Sequence, residues 1–262
     1  MIPTGEERFY IMFKGFYQLT SGMLSQGRRL DVIANNMTNI STAGYKADRY
    51  TDSTSFREVM LNRVGNKDKA HTTELGRISY ILAPDRLYTD FTQGSLEETE
   101  LPLDFAIEGD GFFAIEWNGQ VGYTRAGSFN LDEEGYLVLP GQGRVLDSNR
   151  QPIQLPTDDI YVDPDGGIYT MNNRNQLATL GVFAFQDNGA LERNDHGLFT
   201  GGQPQESTGY IIHHKMVERS NSNMVHEMVS MMGAQRALQS AAEMSKIYDQ
   251  VMTKDTTELG RL

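Results

Sequence analysis

Asp104, Glu108 and Asp110 crowd one short stretch, and two carboxylates held close together are the minimum equipment for general acid and base catalysis. The apolar run Phe105-Ala106-Ile107 and the turn Gly109-Asp110-Gly111 instead spread these groups along a strand and its following loop, which favours solvated carboxylates. Asp163, Asp165 and Gly166 are arranged like the start of a calcium loop, but the twelfth position from Asp163 is Arg174, where a bidentate Glu is required. His213 and His214 are adjacent, so on a strand they point to opposite faces and cannot share a metal. His226-Glu227 has no second histidine four residues on, as a zinc-protease helix needs. No phosphate-cradling glycine loop and no nucleophile elbow occur, and the absence of cysteine removes thiolate chemistry. These residues predict no catalytic group, no cofactor and no metal, and hence a protein that is not an enzyme.

Composition narrows the partners. The formal net charge of −12 argues against a nonspecific grip on nucleic acid, which depends on clustered Lys and Arg. No stretch approaches the roughly 20 apolar residues that span a bilayer, so no membrane insertion is expected. The opening MIPTGEERFYIMFKG lacks the basic start, apolar run and small-residue site of a cleaved signal peptide. Export, if it occurs, is expected to follow a route that needs none.

The elements that must position everything else divide the chain in three. Six of the 8 prolines lie from Pro84 to Pro164, none between Pro3 and Pro84 and none after Pro204, so helix is expected at the ends and not in the middle. Phe16, Leu19, Met23, Leu30, Ile33, Met37 and Ile40 recur in steps of three and four, a narrow heptad-like seam. Met224, Met228, Met231, Leu238, Ala242 and Met252 mark a second seam behind the capping residues Ser220 to Ser222. Between them, Phe105 to Ile107, Gly111 to Trp117, Gly135 to Leu139, Ile160 to Val162, Leu180 to Phe185 and Gly209 to His213 read as short antiparallel strands.

The expected fold class is α+β: long terminal helices from both chain ends forming a coiled-coil-like domain, plus a central antiparallel all-β domain. The expected bounds are an N-terminal extension open to disorder over 1–11, a helix over 12–44, a connector over 45–76, the β-rich domain over 77–213 and a second helix over 214–262. Ser41 to Gly44 reads as the helix stop, with Gly44 free to take the left-handed conformation.

Three blocks then carry a family resemblance. Ser21 to Arg49, SGMLSQGRRLDVIANNMTNISTAGYKADR, resembles the N-terminal signature of the flagellar basal-body rod proteins, with Asn35, Asn36, Asn39, Gly44, Tyr45 and Lys46 in matching places. LDFAIEGDGFFAI (Leu103 to Ile115) and YTRAGSFNLDEEGYLV (Tyr123 to Val138) are similar to the β-rich middle of rod and hook-type subunits. VERSNSNMVHEMVSMMGAQRAL (Val217 to Leu238) is similar to the family's C-terminal helix. Length and the central blocks resemble distal-rod members more than their proximal-rod relatives, while Asn194 to Phe199 leans the other way.

The resemblance implies a structural subunit, exported through the flagellar type III apparatus and stacked helically into a drive shaft for motility. Its partners would be copies of itself, neighbouring rod and hook subunits and the export apparatus. Its place would be the basal body outside the cytoplasmic membrane, in periplasm or cell wall. The alternatives are a proximal-rod paralogue or other hook or rod axial protein and, more remotely, a secreted β-domain enzyme or adhesin.

Overall fold

Heptad spacing without a proline produces the first helix, α1, over Gly5–Thr38. This is a computed structural model that describes residues 5–64, 71–171 and 176–259, with side chains described for 15–52, 87–171, 176–254 and 257. Residues 1–4 and Arg174 lie outside that set. Helix α1 begins inside the stretch read as an extension, because nothing in the sequence from Glu6 to Lys14 interrupts it. It ends at Thr38, before the expected stop, in a turn where Thr42 N donates to Asn39 O at 3.2 Å and Gly44 takes a φ of 67°.

The chain forms two compact units: residues 1–36, 48–88 and 224–262 make one, and 37–47 with 89–223 make the other. The first holds α1, the strands β1 (Asp48–Val64) and β2 (His71–Thr89), and the helix α2 (Met224–Leu259). Strands β1 and β2 pair as a two-stranded sheet, β1 within the stretch expected to be a connector and β2 running from it into the stretch expected to be β-rich. A ribbon of two strands satisfies its backbone groups mutually and needs no alternating apolar face, so periodicity does not announce it.

The second unit is β-rich. Its centre is β5 (Phe112–Trp117), flanked on one side by β6 (Gln120–Thr124). Its other edge is shared: β13 (Val182–Phe185) pairs at Phe112 and Phe113, and β9 (Gly143–Val145) pairs at Ile115 and Glu116, all antiparallel. Phe112 to Ile115 are buried on both faces of this sheet. By the two-residue period, Phe113 and Ile115 join a cluster with Phe105, Ile107, Phe129 and Leu137, and Phe112 and Ala114 join one with Tyr123, Phe183 and Phe199. At about 25 cal/mol per Å², each fully buried large side chain contributes roughly 1.5–3 kcal/mol.

Around this core, β4 (Phe105–Glu108) pairs antiparallel with β17 (Ile211–His214), and β3 (Leu96–Glu98) with β18 (Met216–Glu218). Strand β10 (Ile160–Val162) opens a separate three-stranded sheet with Gly167–Thr170 and Gln176–Thr179. The compact unit therefore extends past the expected limit at 213 and takes in the turn after α1, because β18 and that turn hydrogen-bond each other, Gly44 N donating to Glu218 O at 2.7 Å.

Strand β17 carries a pH-sensitive contact. The His214 ring stacks on Phe105 with centroids 5.6 Å apart, and its Nε2–H donates to Pro102 O at 2.7 Å. Burial, helped by neighbouring Lys215, pushes its pKa below the ordinary value against the pull of the Pro102 carbonyl. The unfolded chain therefore takes up a proton at a higher pH than the folded one. This group's contribution to stability is lost as pH falls through about 6.5. Urea midpoints of the wild type should drop between about pH 7.5 and 5.5 more steeply than those of His214→Phe; parallel slopes would refute the assignment.

Candidate subunit-interaction site and the buried charge cluster

An ammonium in an apolar interior is costly unless paired, which makes Lys46 conspicuous at 1% exposure. Its Nζ donates to Glu218 Oε1 at 2.6 Å and to Thr92 O at 2.8 Å. The Glu218 side chain, 0% exposed, also accepts from Gly94 N at 2.8 Å and from Arg125 Nη1 at 3.4 Å. Arg125 spends its remaining fork on strand β4 and the turn beyond it, Nη2 donating to Gly109 O at 2.7 Å and Nη1 to Ile107 O at 3.4 Å. Burial lowers the pKa of both Lys46 and Arg125, and Glu218 opposes the shift in each.

The other signature residues build the approach to this cluster. A Cβ on Gly44 would come within 2.1 Å of Ala126 N and 2.2 Å of Arg125 C, so only glycine fits there, in addition to its positive φ. The Arg193 guanidinium lies 4.7 Å from the Tyr45 ring centroid and also donates to Lys46 O. Asn221 holds three segments, its Oδ1 accepting from Ala47 N at 2.8 Å and its Nδ2 donating to Asp90 O at 2.7 Å and Thr92 O at 3.1 Å. Asn39 accepts from Thr42, and Asn35 is exposed.

In the helical unit, Asn36 is 3% exposed and grips one residue twice: Oδ1 accepts from Asp48 N and Nδ2 donates to Asp48 O, both at 2.9 Å. The same Nδ2 reaches Glu227 Oε1 on α2 at 3.3 Å. At the far end of α1, a Cβ on Gly15 would fall 2.3 Å from Tyr248 Oη, so the absence of a side chain there lets the tyrosine lie against the helix. From 15 to 36 on α1 and from 248 to 227 on α2 the steps are equal and opposite, so the helices run antiparallel past these two contacts.

The seam residues divide by exposure. Ile33 is buried; Leu19, Met23, Leu30, Met37, Ile40, Met231, Leu238 and Met252 are half-buried. Phe16, Met224 and Met228 are exposed at 48%, 47% and 43%. The steps of three and four do not reveal that α2 is apolar on a second row as well, where Val229, Met232, Met244, Ile247 and Val251 are also exposed. Ala234, at 5% exposure, belongs to the covered row and is too small to stand out in the sequence.

The carboxylates considered for catalysis are separately engaged. Asp104 is buried and accepts from Thr99 Oγ1 at 2.7 Å, Glu108 faces His213 at 2.6 Å, and Asp110 lies exposed in its bend. His213 and His214 take different partners, as their opposite faces require. Among the described residues no group of three His, Cys, Asp or Glu could hold a metal ion, and no helix is long and apolar enough to cross a membrane.

Three family descriptions match in chain order: flagella basal body rod protein over residues 16–46, flagellar hook protein FlgE/F/G D1 domain over 106–170, and flagellar basal body rod FlgEFG protein C-terminal over 213–259. Each span contains one member of the buried cluster: Lys46, Arg125 and Glu218 respectively. The flagellar basal-body rod protein FlgG of Borreliella burgdorferi is 31% identical across 86% of this chain and 91% of its own length. The chain belongs to the flagellar basal-body rod protein family. It is a structural rod protein of the flagellum. Similar relatives include the flagellar hook-basal body complex protein FlhO of Bacillus subtilis, 28% identical over 96% of this chain and all of the relative, and the rod protein FlgF of Rhizobium meliloti, 29% identical over 95% and 99%.

In this rod protein the sequence motifs pointed to Lys46 but not to its partners. The signal for Arg125 and Glu218 was present: each is a charged residue inside one of the other two resembling blocks. Glu218→Gln leaves two buried cations facing a neutral amide and should destabilise the β-rich unit by about 3–5 kcal/mol in urea denaturation. Gly44→Ala, which drives a Cβ into the backbone at Ala126, should cost about 1–3 kcal/mol by the same measurement. Wild-type midpoints in either variant would show that the cluster does not hold the unit together.

Proposed function

We propose that this rod protein polymerises through its two terminal helices into the helical shaft of the flagellar basal body. The observation that carries the reading is the double apolar character of α2. One row is largely half-buried, while a second, with Val229, Met232, Met244, Ile247 and Val251, remains exposed in the single chain. Removing such a row from water yields about 25 cal/mol per Å², and the neighbour that removes it is another subunit. A repeated heterologous contact whose rotation does not close generates a helical filament.

Within each subunit α1 and α2 pair as an antiparallel, coiled-coil-like hairpin, a reading supported by the Asn36–Glu227 and Gly15–Tyr248 contacts. The domains divide their labour accordingly: the helical ends polymerise and the β-rich part shapes the surface of the shaft. The subunit works without catalysis or cofactor. It leaves the cytoplasm through the flagellar type III apparatus, and it contacts further rod and hook subunits at its axial ends. Chain length and the central blocks favour the distal rod over the proximal paralogue.

Val229→Asp places a charge on the exposed row, away from the intramolecular contacts. It should change monomer stability by no more than about 0.5 kcal/mol while excluding the protein from rods and abolishing swimming in a complemented deletion strain. Met23→Asp and Met231→Asp, on half-buried seam positions, should also block polymerisation with the β-rich unit still folded. Rods of normal length built from Val229→Asp subunits would sink the proposal.

A further inference from the structure

The three-stranded sheet of β10, β11 (Gly167–Thr170) and β12 (Gln176–Thr179) has one face in the core and one in solvent. Ile160, Val162 and Ile168 are buried in the main apolar cluster, so by the two-residue period Tyr161 on β10 and Tyr169 on β11, which are register partners, stand on the opposite face. Tyr161 is 50% exposed, and Met171, whose N donates to Asp159 O at 3.3 Å beyond the strand end, is 56% exposed. A solvated sheet face ordinarily carries polar residues, and two tyrosines beside a methionine mark this one as a contact surface.

Tyr169 is placed for stacking. A Cβ on Gly167 would fall 2.9 Å from Tyr169 Cε2 and 3.2 Å from its Cζ, so the half-buried ring lies across the glycine. Across the ladder from Gly167 stands Asp163, whose N donates to Gly167 O at 2.9 Å, and Asp159 lies exposed two residues before Tyr161. No Lys or Arg occurs between Arg150 and Arg174, so this segment brings its carboxylates no cation of its own. The same sign prevails at longer range: the β-rich unit holds 21 Asp and Glu against 8 Lys and Arg, a formal −13, while the helical unit stands at +1. Nucleic acid, an anionic lipid surface and the β-rich unit of a second copy are all repelled by such a field, and a cationic partner is drawn in.

A ring face next to a carboxylate suits a guanidinium, which is planar, weakly hydrated and able to stack and hydrogen-bond at once, whereas an ammonium holds its water more strongly. We propose that this face docks an arginine-bearing segment of another protein, with one guanidinium stacked on Tyr169 and paired with Asp163, and with Tyr161 and Met171 receiving the apolar stem of the side chain. The surface belongs to the β-rich unit and uses none of the apolar rows of α2, so its failure would leave the polymerisation reading untouched.

The test titrates ¹⁵N-labelled full-length protein, at a concentration where light scattering reports monomer, with a short amide-capped peptide of alternating glycine and arginine. Saturable shifts should map to the residues around Tyr161 and Tyr169. The lysine version should bind about twofold to fivefold more weakly, and the glutamine version should give no saturable shifts. Tyr169→Leu, which still covers Gly167, and Asp163→Asn should each weaken the arginine peptide about twofold to fivefold, while Glu133→Gln, an exposed carboxylate on a different sheet, should leave it unchanged. Thermal unfolding of each variant establishes that it is folded, and Tyr161→Leu carries the test if the Tyr169 variant is not. No saturable shifts, equal binding of the lysine peptide, indifference to the tyrosine variant, or equal weakening by Glu133→Gln would overturn the proposal and leave only diffuse attraction between opposite charges. Light scattering then separates the occupants: wild-type self-association that is absent or unchanged by the peptide supports another protein, and self-association slowed by it would overturn that assignment in favour of a second copy.

Discussion

The Glu218 carboxylate is wholly buried, so its charge must be answered by the protein, and the segments that answer it define the β-rich unit. Lys46 arrives from the turn after the first helix, Arg125 from the end of β6, and Gly94 from the loop before β3. Their geometry is demanding. The turn can deliver Lys46 only because Gly44 lets the backbone pass within contact of Ala126, and Arg125 can hold its position only because Ile107 and Gly109 offer carbonyls to the same guanidinium. An apolar trio of equal volume could match the stability of such a cluster. It would not specify which segments meet, whereas a charged trio tolerates no other pairing.

The helical unit follows a different rule. Its 36-residue α2, roughly 54 Å long at 1.5 Å per residue, offers more apolar surface than one antiparallel neighbour covers. Small residues set the close approach, Gly15 against Tyr248 at one end and Ala234 in the covered row. Methionine supplies much of the exposed row, and its flexible thioether tolerates neighbours that differ slightly in position. The two units thus differ in closure: one answers its buried charge internally, and the other leaves a row of apolar side chains exposed.

Much of this was legible in the sequence. Proline distribution separated helical ends from a β-rich middle, and the runs at Phe105, Phe112, Ile160 and Val182 form strands where their bounding Gly, Asp and Pro residues suggested. What escaped has physical reasons. β1 and β2 escaped because two strands can pair through their backbones without an alternating apolar pattern in the sequence. β5 is buried on both sides, so its continuous Phe-Phe-Ala-Ile run gives a strand but not the division of its residues between two clusters. The second apolar row of α2 was hidden because a pattern read for one face absorbs residues belonging to another. Arg125 and Glu218 were invisible as a pair because their proximity exists only after folding, 93 residues apart.

Lys46 and Glu218 stand 172 positions apart, which imposes an order in time. A ribosome releases Lys46 well before Glu218, and until then the carboxylate that both buried cations share is missing. Closure of the β-rich unit must wait for β18, since the contact that completes it is among the most non-local it makes. The β-rich unit therefore carries its own delay and can lock only when its last strand, β18, is in hand.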